Sequence, residues 1–129
     1  MEAHNRSVPY NNDAEMYVIG SVLLENKIMN SLVGKINPED FYNPQNSAIY
    51  KAMLTLYNQS EKIESMSVLE QLKRDKISNI EEYKNYLIDI IDLVPSTSSV
   101  GLYIDVVEEK AVERRILANM QELSSDILT

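Results

Sequence analysis

Cysteine is absent from this chain of 129 residues, which excludes disulfides and thiolate metal sites. A reducing cytoplasm fits that absence and is the expected setting. Glycine is scarce, with only Gly20, Gly34 and Gly101. Strict apolar/polar alternation is scarce too, which argues against a sandwich or barrel. There is no run of about 18 apolar residues, so no transmembrane helix is expected. Met1 to Asn11 is polar and lacks the hydrophobic stretch of a secretory signal. The one histidine, His4, lies in an expected terminal tail and cannot build a metal or catalytic cluster alone. Basic residues are outnumbered, 12 against 20 acids, for a net charge of −8. Strong binding to nucleic acid places many cations at phosphates, so none is expected here. The acid excess has two readings: it keeps the domain soluble, or it repels DNA and attracts a basic protein.

What is present is helical periodicity and enough apolar residues, 44%, for one core. Met1 to Tyr10 is expected to be a flexible tail. Asn12, with Glu15 three residues later, has the spacing of a capping box and opens a first helix. Ala14, Val18, Ile19, Val22 and Leu23 form its apolar stripe. Gly20 inside that helix costs about 1 kcal/mol relative to alanine, which predicts close approach of a neighbouring helix. Ile28, Met29, Leu32 and Val33 predict a short second helix stopped at Gly34. Asn43-Pro44 caps and starts a third, whose stripe is Ala48, Ile49, Ala52, Met53, Leu56 and Tyr57. A fourth starts near Ser65 or Ser67, with Ser67 and Glu70 at box spacing, and buries Val68, Leu69 and Leu72. Asn79 and Glu82 open a fifth, which buries Tyr83, Leu87, Ile90 and Ile91 and ends at Pro95.

Pro95 to Ser99 reads as a linker. From about Val100 to Ile127 only Gly101 interrupts the helical pattern, giving a last helix of roughly 40 Å. Its apolar positions, Tyr103, Ile104, Val107, Ala111, Leu117, Met120 and Leu123, exceed what a small head could cover. An uncovered stripe marks an interface. The expected organisation is a tail over 1–10, a globular head over 11–95, and a linker plus projecting helix over 96–129. The fold class is all-α with about six helices. Tyr103, Val107, Ala111, Arg114, Arg115 and Leu117 are the candidate interface residues, with ordinary packing as the competing account.

Catalytic chemistry is hard to find. Gly34-Lys35 is followed by Ile36 and has no glycine five residues earlier, so it is not a P-loop. Asp89 with Asp92, and Glu61 with Glu64, lie among polar helix positions and read as a solvated face, not as a converging acid pair. Arg114-Arg115 has acids beside it, and salt bridges account for it better than a nucleic-acid patch. No catalytic, metal or cofactor residue is assigned.

Pro9-Tyr10-Asn11-Asn12-Asp13-Ala14-Glu15, followed by Val18-Ile19-Gly20-Ser21-Val22-Leu23-Leu24, resembles the opening of the N-terminal domain of DnaB-family replicative helicases, "P-x-N-x-E-A-E" and then "V-L-G-S-I-L". Asn37-Pro38-Glu39-Asp40-Phe41-Tyr42 resembles "x-P-E-D-F-Y", and Ile49-Tyr50-Lys51-Ala52-Met53 resembles "I-F-x-A-M". Lys62-Ile63-Glu64, Val68 to Leu72 and Val94-Pro95-Ser96 follow in register. Tyr103 to Ala111, then Arg114-Arg115, resembles "Y-A-x-I-V-x-E-K-A…R-R". No piece is specific alone; in this order, from Pro9 to Arg115, they are. Three features depart from the family: Asn46 or Ser47 stands near a frequent histidine, the turn at Lys76 to Asn79 lacks glycines, and Gly101 replaces an acid or asparagine.

The resemblance implies a head followed by a helical hairpin. Hairpins would pair into dimers, and three dimers would form a collar on a hexameric ring, where the C-terminal domain of primase docks. A loader is a further partner it allows. ATP and Mg would belong to a separate ATPase domain. The chain ends where the second hairpin helix is expected, so it is expected to be a truncated piece, with part of the Val107 to Leu123 stripe uncovered. The alternatives are the helicase-binding domain of a primase and an unrelated helical adaptor or loader. The run from the "P-E-D-F-Y" motif to "V-P-S" favours the helicase.

Overall fold

The computed structural model describes residues 8–128. His4 and most of the expected tail lie outside the described residues. The described residues form six α-helices and no strand: α1 Asn12–Leu24, α2 Met29–Leu32, α3 Pro44–Asn58, α4 Ser65–Arg74, α5 Ile80–Leu93 and α6 Val100–Leu128. Short 3₁₀ turns at Asn26–Ile28 and Pro38–Asp40 lead into α2 and precede α3.

Local chemistry sets the helix ends. Asn11, not Asn12, caps α1: its backbone is extended and its side chain accepts the N–H of Ala14 at 3.0 Å. Asn12 is already helical, which releases its carboxamide and Glu15 for contacts elsewhere. Asn43 caps α3 by accepting the N–H of Gln45, with Pro44 in the first turn as expected. At α4 the expected Ser67–Glu70 box is replaced by one centred a turn earlier: the Ser67 hydroxyl accepts the N–H of Glu64 at 3.0 Å. Asn79 precedes α5 in the left-handed region and donates to the Glu82 side chain, so this pair meets side chain to side chain. Gly34, at φ 84°, occupies the conformation that glycine tolerates best and stops the chain after α2. Val33 was expected within the second helix but lies just past it, exposed, because α2 ends one residue earlier and the backbone there is extended.

The core gathers around α1. Ala14, Val18, Ile19 and Val22 are fully buried where α1 packs against α5 and α6, while α3 packs on α4 and α4 on α5. Ile49, Ala52, Met53 and Leu56 of α3, Val68 and Leu72 of α4, and Leu87 and Ile90 of α5 close it. Leu23, Ala48, Tyr57 and Leu69 are only partly covered. Gly20 sits where α1 touches α5, as its place inside a helix predicted. A Cβ there would come 2.6 Å from Val94 Cγ2 and 3.1 Å from the Ile90 carbonyl oxygen.

The linker is pinned. The Tyr17 hydroxyl donates to the Ser96 carbonyl at 2.6 Å, and the Thr97 hydroxyl donates to Glu25 Oε1 at 3.0 Å. That bond, together with Lys27 beside it, holds the Glu25 carboxyl below the ordinary glutamate value. A carboxylate lowered in the folded state stabilises the fold above the unfolded pKa and loses that contribution as pH falls through the folded one. An NMR titration of Glu25 is expected to give a midpoint below that of an ordinary glutamate. In Thr97→Val it rises part of the way back, since Lys27 remains. An unchanged midpoint would show that the hydroxyl does not hold the carboxylate.

Candidate interaction surfaces

Helix α6 has two apolar faces. Ile104, Val107 and Ala111 point into the head and are buried. Tyr103 stacks on Tyr17 with centroids 4.2 Å apart. One turn further on, two arginines clasp the head. Arg114 donates to the carbonyls of Pro9 at 2.9 Å and Asp40 at 2.6 Å, and its guanidinium lies 5.4 Å from the centre of the Tyr42 ring. Arg115 pairs with the buried Asp40 carboxylate at 2.9 Å. That carboxylate also accepts the N–H of Asn37 at 2.8 Å, so one acid both caps its own turn and anchors α6. Tyr10 stacks on Tyr42 at 4.5 Å. The last residues of the expected tail are thus tied to the head and to α6.

The six candidate interface residues therefore fall together, but on the anchored face. Val107 and Ala111 are core, Tyr103, Arg114 and Arg115 contact the head, and half-buried Leu117 marks where cover ends. The free apolar surface is a second stripe. Val112, Ile116, Met120, Leu123 and Ile127 are exposed, Met120 at 63% and Leu123 at 61%. At about 100° per residue they share an arc of roughly 80° with Leu102, nearly opposite Val107 and Ala111. From Ile116 the steps alternate between four and three residues, the spacing of a coiled-coil seam. That spacing is readable in the sequence, and Met120 and Leu123 stand among the seven apolar positions expected to exceed what the head covers. Leu102, Val112, Ile116 and Ile127 were missed, because two stripes of different phase were taken as one. The acids Asp105, Glu109 and Glu113 share the outer face over its first half, while its second half is apolar.

A polar knot joins α1, α3 and α5 beneath the clasp. Glu15 is 2% exposed. Its Oε2 accepts the N–H of Tyr42 at 2.8 Å, and its Oε1 accepts the N–H of Asn43 at 3.2 Å and the Asn46 amide at 2.9 Å. Asn46 in turn accepts the Tyr86 hydroxyl at 2.6 Å. Burial raises the pKa of Tyr86, so it remains a donor through neutral pH. Asn46, which with Ser47 stands in the region where the resemblance places a histidine, satisfies both neighbours without a titrating ring.

Among the described residues no three His, Asp or Glu side chains gather to hold a metal. No helix among them is long and apolar enough to cross a membrane. The fold defines a small all-helical domain, a head carrying an arm. Residues 7–109 match the family described as the DnaB-like helicase N terminal domain, and the chain belongs to that family. Among its relatives are the replicative DNA helicase DnaC of Bacillus subtilis, 28% identical over 95% of this chain, and DnaB of Geobacillus stearothermophilus, 30% identical over 94%. The chain spans 27% of the length of each of these. The crystal structure of the N-terminal domain of DnaB helicase from Mycobacterium tuberculosis superposes with a TM-score of 0.86 at 28% identity, covering 92% of this chain and 85% of that one. The same domain from Helicobacter pylori, described with its interactions with primase, superposes at 0.78 and 17% identity, covering 91% of each chain, and shares the fold.

Proposed function

We propose that this chain is the assembly and partner-docking domain of a hexameric replicative helicase, whose ATP-driven unwinding resides in another domain. The observation that carries this is the outer stripe of α6, exposed at seam spacing and opposite the face that anchors the helix. Two copies meeting antiparallel about a point near Met120 bury the apolar halves against each other. The same arrangement keeps the acidic first halves apart, where like charges would otherwise oppose pairing. The resulting dimers are the units of a collar. The H. pylori domain's interactions with primase support a primase-docking role for this one. A loader is a second protein partner compatible with this role. The domain works without a cofactor of its own, away from direct contact with nucleic acid and in the cytoplasm.

Light scattering across a concentration range, alone and with a helical C-terminal domain of primase, tests this reading. The chain is expected to dimerise and to bind the primase domain. Met120→Glu and Leu123→Glu are each expected to weaken the dimer roughly 30-fold or more, the factor that corresponds to about 2 kcal/mol at a central contact. Helix content should be unchanged, since both side chains are exposed. A mass insensitive to both substitutions would sink the α6 interface. Loss of primase binding alone would separate docking from assembly.

A further inference from the structure

Helix α4 is held differently from the rest of the head. Every other helix shares at least one side-chain hydrogen bond with another element. Glu15 of α1 and Tyr86 of α5 reach Asn46 of α3, Asn30 of α2 accepts the Tyr57 hydroxyl, and Arg115 of α6 meets Asp40. Among the described residues, every hydrogen bond and ion pair made by Glu64 to Ser78 ends between Lys62 and Asn79. Even Gln71, 6% exposed, is satisfied by Asp75 and Arg74 of its own segment. What joins α4 to α3 and α5 is therefore apolar: Val68 and Leu72 are fully buried, Leu69 and Ile77 partly so.

The two ends of α4 also differ. At the entry, Asn26 grips the backbone of Ile63: Nδ2 donates to the Ile63 carbonyl and Oδ1 accepts its N–H, each at 2.8 Å. The same Nδ2 donates to the Val22 carbonyl at 2.8 Å, so this point is tied to α1. At the exit, Lys76 at φ 63° and Asn79 at φ 52° are left-handed without being glycine. Asparagine tolerates that conformation, but for lysine it is disfavoured about fivefold or more relative to glycine. The penalty disappears once the turn is released. Ser60, at φ 58°, is left-handed too, but it lies on the pinned side of Ile63.

We infer that Glu64 to Ser78 opens as one unit while the other helices of the head stay folded. A helix of 10 residues cut off from its neighbours is unstable in water, so detachment and melting are a single event. In the open state α1 keeps its packing on α3, α5 and α6, because none of the polar ties among them runs through α4. Opening uncovers the faces of α3 and α5 that α4 covers, and neither helix takes part in the clasp with α6. The head thus holds an order–disorder switch that leaves the direction of the arm alone.

Native-state hydrogen exchange at increasing urea, read amide by amide by NMR, tests this in the full chain. Amides of α4 are expected to exchange at least about tenfold faster than the slowest amides of α1, with a shallow urea dependence, since the opening exposes little surface. Lys76→Gly is expected to slow exchange in α4 about fivefold. Ser60→Gly is expected to leave it unchanged, because the Ser60 turn stays folded when the segment opens. Both substitutions are expected to slow the slowest amides of α1, which exchange by global unfolding, and that rise shows that each glycine relieves its turn. Exchange in α4 as slow and as urea-sensitive as in α1 would overturn the inference. So would a Ser60→Gly chain whose α4 amides slow as much as those of Lys76→Gly.

Discussion

Glu15→Ala is expected to lower the thermal unfolding midpoint by roughly 10–20 °C, from a loss of about 3–5 kcal/mol. Three donors converge on this buried carboxylate: the backbone N–H groups of Tyr42 and Asn43 and the Asn46 amide. Each hydrogen bond to a charged group contributes about 1.5–3 kcal/mol, and donors left unsatisfied add their desolvation. Among the described residues the other hydrogen bond from this loop to α1 is a neutral one, from the Asn43 amide to Asn12 Oδ1 at 3.0 Å. Glu15→Gln separates shape from charge. It keeps one acceptor but turns an NH₂ toward a donor, so its loss should fall between zero and the alanine value. Thermal melts followed by circular dichroism give both numbers. A loss under about 1 kcal/mol for alanine would mean that water reaches these donors and the knot is not what holds the loop.

Gly20→Val is expected to cost about 3 kcal/mol, and Gly20→Ala about 1 kcal/mol, although both residues are better helix formers than glycine. The added Cβ meets Val94 Cγ2 at 2.6 Å and the Ile90 carbonyl oxygen at 3.1 Å. Val94 can rotate away, but the carbonyl moves only if α5 moves with it. For alanine the intrinsic helix gain of about 1 kcal/mol offsets part of the overpacking. Valine adds two methyl groups with nowhere to go. Urea denaturation measures both. Combining Gly20→Ala with Val94→Ala is the sharper experiment. Removing the clashing methyl should make the pair less destabilising than the sum of the single losses by about 1 kcal/mol. Simple additivity would show that the contact at Gly20 is with Ile90, whose Cγ2 and carbonyl oxygen both lie 3.1 Å from the added Cβ, and not with Val94.

The helices themselves were legible because their signals are local. Asn43-Pro44, Gly34 and the i, i+4 stripe of α3 act within a few residues of where they stand, and the structure follows them. Glu15 was misread for the same reason. Its spacing from Asn12 satisfies a local capping rule, but its donors lie 27 to 31 positions along the chain. Arg115 was read as a helix-surface pair, and its partner, Asp40, is 75 positions away. Periodicity reported that α6 has more apolar surface than a head could cover. It could not say which of two phases faces inward, because that depends on where α1 lies.

The clasp at Arg114 and Arg115 also fixes where α6 stops being part of the head. Beyond it the helix runs about 13 residues to Leu128, roughly 20 Å, with neither proline nor glycine to bend it. Such an arm behaves as a stiff pointer mounted on the head. A tilt of the head by about 10° swings its tip by about 3 Å, several times the fit that close-packed side chains tolerate. A partner gripping the far end of α6 would therefore sense small rotations of a head it never touches.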